Sequence, residues 1–114
     1  MYSINIERET LKNKLYRKEL FTVPKQMQLV VMSLEHGESI PLETHDGSQF
    51  VRVEGGKGVA VTEEKKVYLK DGVSIIIPPG TPHLIYNTGF EPLKLYSVYT
   101  PPEHPVGTRQ RRMY

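Results

Sequence analysis

Four side chains in the middle of the chain are of types that bind metal ions or move protons: Glu43, His45, Gln49 and His83. Glu43 and His45 are two positions apart, so on an extended chain they point to the same face. Gln49 follows the turn-forming residues 46–48, which allows three polar groups to converge. A Glu-x-His pair by itself is a weak signal and often lies on a solvated surface. A functional site therefore requires that His83 lie close to this pair.

His83 lies just after a corner in the segment GVSIIIPPGTPHLIYN, residues 72–87. Residues 73–77 are a short β-branched run, which predicts a core strand with both faces largely covered. Residues 78–80, Pro-Pro-Gly, end that strand in a tight turn. His83 and Asn87 then share one face of a second strand. A lone histidine there would most simply be a core residue that is hydrogen-bonded to a neighbour.

The two segments resemble the paired motifs of the cupin superfamily, whose members are small jelly-roll barrels. The second motif of that family, G(x)5PxG(x)2H(x)3N, is matched without a gap by Gly72, Pro78, Gly80, His83 and Asn87. The matched motifs extend from residue 37 to residue 87. The resemblance implies an all-β fold, a cupin-type jelly-roll β-barrel in a single domain.

The first motif of the family, G(x)5HxH(x)3–4E(x)6G, is matched with two substitutions. After Gly37, Glu43 stands where a histidine is usual and Gln49 where a carboxylate is usual, whereas His45 keeps the second histidine. The number of carboxylates is unchanged, which argues against a decayed site. The resemblance thus implies Fe(II), Mn(II), Co(II), Ni(II) or Zn(II) held by Glu43, His45 and His83, with Gln49 as an optional ligand. The alternative is a polar pocket without metal.

Length and composition limit the classes of protein to which the chain can belong. With 114 residues the chain is long enough for one domain and one core. A net charge of +2, with the basic residues mainly near the two ends, does not provide the basic stripe of a nucleic-acid-binding protein. The absence of cysteine excludes disulfides and thiolate ligands. Without a long apolar run or a secretory signal, we expect a cytoplasmic protein with no membrane or nucleic-acid partner.

Short apolar segments separated by turns predict the walls of the barrel. Their lengths and spacing are typical of a sandwich or barrel. The predicted strands are QLVVMSL, QFVRVEGG, GVAVT, KVYL, VSIII, HLIYN and LKLYSVYT. Residues 1–22 are expected to be an N-terminal strand or short helix, residues 23–100 the barrel, and residues 101–114 a loop and basic tail. Exposed edges of such a barrel predict a homodimer.

Further polar residues are candidates for the pocket. Tyr86 and Tyr96 could line it or donate a proton, as could Tyr99, although a tyrosine on a strand more often serves packing. Glu103 and His104 stand between prolines and predict a rigid polar loop. That loop is either a lid over the barrel mouth or a surface arm that contacts a partner.

Two classes of function fit these residues. Similar short cupins include dioxygenases, decarboxylases and sugar or sugar-phosphate isomerases and epimerases, and many are described as mannose-6-phosphate isomerase-like. The resemblance implies a metal-dependent enzyme for a small oxygenated metabolite, which is a sugar, a sugar phosphate or a carboxylate. A sugar phosphate would require a positive clamp, and no lysine or arginine is predicted to point inward. The alternative is a non-catalytic barrel that binds a sugar or other polar metabolite, because metal-bound histidines cannot act as general bases.

Overall fold

One short helix and ten strands account for the regular structure in the computed structural model, which describes all 114 residues. The elements are α1 (Ile6–Lys12), β1 (Arg17–Val23), β2 (Met27–Leu34), β3 (Ser39–Glu43), β4 (Ser48–Gly55), β5 (Gly58–Val61), β6 (Lys66–Leu69), β7 (Ser74–Ile77), β8 (His83–Asn87), β9 (Leu93–Thr100) and β10 (Arg109–Gln110). No helix of the chain is long and apolar enough to cross a membrane.

The strands form two antiparallel sheets. The larger sheet has the order β10-β1-β2-β9-β4-β7, and the smaller has the order β3-β8-β5-β6. Alternating residues of both sheets point into one apolar core, to which β2, β4 and β9 contribute most of the fully buried side chains from the larger sheet. The predicted all-β jelly-roll barrel in a single domain is confirmed.

The N-terminal segment contains a helix as well as a strand. Asn5 caps α1 by accepting a hydrogen bond from the backbone N–H of Arg8 at 3.0 Å. Strand β1 is part of the larger sheet, where it pairs with β2, so a boundary at residue 22 would cut a strand of the barrel. The basic tail also returns to the sheet, since β10 pairs with β1.

The position of strand β7 shows that the prediction of a core strand with two covered faces at residues 73–77 was wrong. It forms one edge of the larger sheet and pairs only with β4. Ile77 is buried, whereas Ile76 is 72% exposed. A run of β-branched residues favours a strand but does not reveal whether a second sheet covers each face.

Candidate metal centre

The site is built where the smaller sheet ends at a corner of the barrel. Glu43 is the last residue of β3 and His83 the first of β8, and the two are register partners. His45 lies in the loop that follows β3. That loop is tied to the Pro-Gly corner because the N–H of Gly80 donates to the carbonyl of His45 at 2.8 Å. Residues 38 positions apart in sequence, His45 and His83, are thus brought to the same place.

Two imidazole nitrogens converge on one carboxylate oxygen. Oε1 of Glu43 lies 3.1 Å from Nε2 of His45 and 3.5 Å from Nε2 of His83. One ligand atom from each of the three residues lies within 4.8 Å of the others. His45 and His83 are buried, at 7% and 2% exposure, and Glu43 is half-buried. Two imidazoles and a carboxylate are a common set of protein ligands for a divalent transition-metal ion.

The hydrogen bonds of His83 decide which of its nitrogens is available. Nδ1 lies 2.8 Å from the carbonyl oxygen of Thr81, and a carbonyl can only accept, so Nδ1 carries a proton. Nε2 is buried and has no hydrogen-bond partner. An unpartnered buried nitrogen beside a carboxylate is the arrangement that a metal ion would complete. The residues present therefore fit a divalent ion.

The same proximity shifts the pKa values of both partners. Burial acts to raise the pKa of Glu43, but the neighbouring His83 and His45 outweigh it and hold the pKa below its ordinary value. Burial acts to lower the pKa of His83, but the Glu43 carboxylate and the Thr81 carbonyl raise it overall. Without metal, Glu43 and His83 thus stabilise each other's charged forms.

Gln49 lies on β4 and is almost fully buried, at 1% exposure. Its Nε2 donates to Oγ of Ser97 at 3.0 Å and to the Tyr99 hydroxyl at 3.4 Å. Its Oε1 has no partner. The amide is thereby oriented with its oxygen unused, which is consistent with the optional ligand expected from the sequence. Whether Gln49 coordinates a metal stays a prediction.

The C-terminal segment, residues 101–108, approaches the same centre. Oε1 of Glu103 lies 3.0 Å from Nδ1 of His45. The ring of Tyr99 stands edge-on to both His45 and His104, with centroids 5.5 and 5.2 Å away. Burial, helped by the charge of Arg17, lowers the pKa of His104 to about 4, so its ring is neutral near pH 7. The loop, for which the sequence allowed either a lid or a surface arm, lies beside the Glu43, His45, His83 cluster.

Tyr86 and Tyr96, the predicted pocket candidates, lie on the faces of their strands that point away from the core. Tyr86 alternates with the buried residues of β8, and Tyr96 alternates with those of β9. Tyr96 packs instead near Phe50, with centroids 6.3 Å apart. Tyr99, which the sequence analysis also considered, is the tyrosine at the site. Its pKa is raised by burial, so its hydroxyl stays protonated.

A groove of about 510 Å³ lies beside the centre, between β7 and the β5–β6 hairpin. Six of its 13 lining residues are hydrophobic, and His83 is the one member of the Glu43, His45, His83 cluster that lines it. Lys65 and Glu64 also line it, and both are exposed residues of the β5–β6 turn. The expectation that no lysine or arginine points inward therefore stays a prediction. A groove with aliphatic residues and a histidine of the cluster in its lining is a candidate small-molecule site.

Comparison with known proteins identifies the family. The sequence profile described as Cupin domain matches residues 30–99. The crystal structure of BH2720 from Bacillus halodurans superposes with a TM-score of 0.92 at 41% identity, covering 96% of this chain and 88% of that one. The chain therefore belongs to the cupin family, as the two motifs indicated, and is a small single-domain member.

Two further comparisons agree with that assignment. An RmlC-like cupin family protein with a double-stranded β-helix fold from Methanocaldococcus jannaschii has a TM-score of 0.70 at 20% identity, covering 79% of this chain and 84% of that one, which shows the fold alone. The uncharacterized protein YrkC of Bacillus subtilis (strain 168) is 43% identical over 114 aligned residues, which cover 94% of this chain and 61% of YrkC. The chain thus spans about three fifths of the length of that relative.

Proposed function

We propose that this cupin is a metal-dependent enzyme that acts on a small oxygenated metabolite, namely a sugar, a sugar phosphate or a carboxylate. Glu43, His45 and His83 would hold a divalent first-row ion, with Gln49 as an optional fourth ligand. The observation that carries the proposal is the convergence of two buried imidazole nitrogens on one carboxylate oxygen. The reaction would be of the isomerase, epimerase or dioxygenase type.

A bound ion would polarise a carbonyl or hydroxyl group, or serve as a redox centre, at coordination positions that the protein leaves open. The chain itself supplies orientation and shielding. The Thr81 carbonyl keeps the proton of His83 on Nδ1, and the burial of His45 and His83 limits the access of water to their rings. Lys65 would offer a positive charge to a substrate carboxylate or phosphate, and the negative charge of Glu64 in the same lining would partly offset it.

Turnover by a histidine variant tests the catalytic proposal. Metal-loaded wild type would be incubated with sugars, sugar phosphates and keto acids in air, and products would be followed by NMR. We expect the His45→Ala variant to lose turnover by about 100-fold or more, because a ligand is removed, while its circular dichroism stays that of the wild type. His36→Ala is the matched control, since His36 is exposed and outside the cluster. Undiminished turnover by His45→Ala would contradict the proposal.

A second candidate function is a non-catalytic barrel that binds a sugar or another polar metabolite. It is favoured by the composition of the centre. All three clustered side chains would be metal ligands. Burial raises the pKa of the nearby Tyr99, so its hydroxyl would not act as a base. The three clustered side chains would then offer no free general base. A compound that raises the melting temperature of the metal-loaded wild type, with no product formed in any condition, would favour this candidate.

A further inference from the structure

We infer that Glu103 is a positioning residue for His45: it holds the proton of the imidazole on Nδ1 and so leaves Nε2 free for the metal. This inference rests on the proposed metal centre. It gives the C-terminal segment, residues 101–108, a function in building the site. The residue acts through His45 and would not itself contact the substrate.

His45 is bracketed by two carboxylates that compete for its proton. Nε2 is hydrogen-bonded to Oε1 of Glu43 at 3.1 Å, and Nδ1 lies 3.0 Å from Oε1 of Glu103. A neutral imidazole has one proton, so the choice of nitrogen decides whether Nε2 is a donor to Glu43 or a lone pair for a metal. Glu103 favours the second arrangement.

No other acceptor is available for a proton on Nδ1. This atom is buried and forms no aligned hydrogen bond in this structure, and the Glu103 carboxylate oxygen 3.0 Å away is its ion-pair partner. If Glu103 were absent, a proton on Nδ1 would be buried without an acceptor, which is costly. The proton would then move to Nε2 and bond to Glu43, and metal binding would have to displace it. His83 meets the same need with the backbone carbonyl of Thr81.

The backbone of Glu103 is fixed by Gln28, a fully buried residue of β2. Oε1 of Gln28 accepts hydrogen bonds from the N–H groups of Glu103 at 3.1 Å and His104 at 2.9 Å. Nε2 of Gln28 donates to the carbonyl of His104 at 2.7 Å. Gln28 is 0% exposed, so this clamp is part of the core. The carboxylate that reaches His45 is therefore held on a rigid support.

Zinc affinity and the state of the His45 proton test this inference together. Affinity would be measured by competition with a chromophoric chelator for the wild type, Glu103→Ala and Glu103→Gln. Glu91→Ala is the matched control, because Glu91 is exposed and its side chain forms no hydrogen bond or ion pair. We expect Glu103→Ala to weaken binding about 10-fold, the lower end for such partners, since the Glu103 side chain is 34% exposed. Glu103→Gln should fall between it and the wild type, because an amide oxygen accepts without the charge.

The position of the His45 proton distinguishes this role of Glu103 from simple structural support. In the Zn(II)-loaded wild type, ¹H–¹⁵N NMR should show a downfield, slowly exchanging Nδ1 proton on His45, and Glu103→Ala should move it upfield. The melting temperature of the metal-free Glu103→Ala protein should stay that of the wild type. Equal zinc affinity in wild type and Glu103→Ala, or an equal loss in Glu91→Ala, would overturn the inference. Absence of zinc binding by the wild type would instead overturn the proposed centre, and the inference with it.

Discussion

The two histidines of the centre show how single hydrogen bonds decide the chemistry of a residue. Both rings have their Nε2 next to Oε1 of Glu43, and both have Nδ1 close to an oxygen from elsewhere in the chain. The Thr81 carbonyl holds the proton of His83 on Nδ1. We propose that Glu103 does the same for His45, so that two nitrogens would remain for a metal ion. The two substitutions in the first motif, Glu43 and Gln49, leave the site with one carboxylate, as in the usual motif.

Opposite effects of pH on stability and on metal binding follow from the pKa shifts. The raised pKa of His83 means that its proton stabilises the metal-free fold below the unfolded value near 6.5, and this contribution is lost as pH rises through the folded value. Zinc must displace that proton, so affinity should rise over the same pH range. The lowered pKa of Glu43 keeps its carboxylate charged throughout that range.

Urea unfolding of metal-free protein and zinc titration between about pH 5.5 and 8 measure the two trends. We expect the free energy of unfolding to fall, and zinc affinity to increase, as pH rises through the pKa of His83. The variant His83→Gln should lose the pH dependence of stability that arises from this residue. Zinc affinity that is constant from pH 8 to pH 5.5 would contradict the assignment of His83 as a ligand.

The sequence predicted part of this residue-level account. Gly72, Pro78 and Gly80 form a spaced pattern because the turns on either side of β7 favour those residue types, and His83 follows at a fixed distance from them. Gln28 has no such pattern, since its function is to bond backbone groups some 75 positions away, which only the fold brings near. Tyr86 was assigned to the pocket although alternation along β8 puts it on the face opposite to His83, Ile85 and Asn87, which is the buried face.

At the scale of elements, the loop between β3 and β4 must pass close to the end of β9. A Cβ on Gly47 would overlap the carbonyl oxygen of Thr100 and lie 2.5 Å from Cδ of Pro101. His45 and Gln49 flank this glycine at two positions on either side. Contact between the loop and the start of the C-terminal segment therefore holds the ligands and Glu103 together.

Replacement of Gly47 by alanine should disturb both stability and the site. We expect Gly47→Ala to lower the free energy of unfolding by about 1–3 kcal/mol, because the backbone must shift to admit a methyl group. Zinc affinity should fall as well, since His45 would move. Gly89→Ala is the matched control, as a Cβ there meets atoms only at 3.7 Å. Chemical denaturation and chelator competition measure the two effects, and a Gly47→Ala protein that matches Gly89→Ala in both would contradict this packing argument.

Element types were more predictable than element positions in the sheets. Strands β6, β8 and β9 coincide with the predicted segments KVYL, HLIYN and LKLYSVYT, because turn residues bound them on both sides. Strand β3 was not predicted as a strand, since it is short and contains Pro41, which edge strands tolerate. The burial of β7 was misjudged because a strand at the end of a sheet can have the same composition as one in the middle.

At the scale of the whole molecule, the edge of the larger sheet at β7 is open. Ile76 is 72% exposed there, and no other strand pairs with the outer side of β7. Native proteins seldom leave such an edge uncovered. We propose that two copies of the chain form a homodimer along β7.

Replacement of Ile76 by lysine should separate the copies, because it places a charge in an apolar contact. Size-exclusion chromatography with light scattering should show a dimer for the wild type and a monomer for Ile76→Lys. Phe90→Lys is the control, since Phe90 is also exposed, at 86%, but lies in a loop outside β7. A monomeric wild type would contradict the dimer, and a dimeric Ile76→Lys protein would contradict this interface.

The metal content of the purified protein tests the central claim most directly. Elemental mass spectrometry would be applied to untagged wild type and to a Glu43→Ala, His83→Ala double variant, with His36→Ala as a control. We predict close to one transition-metal ion per chain in the wild type and in His36→Ala, and almost none in the double variant. Equal metal content in the wild type and the double variant, or no metal in the wild type even after incubation with these ions, would contradict the metal centre.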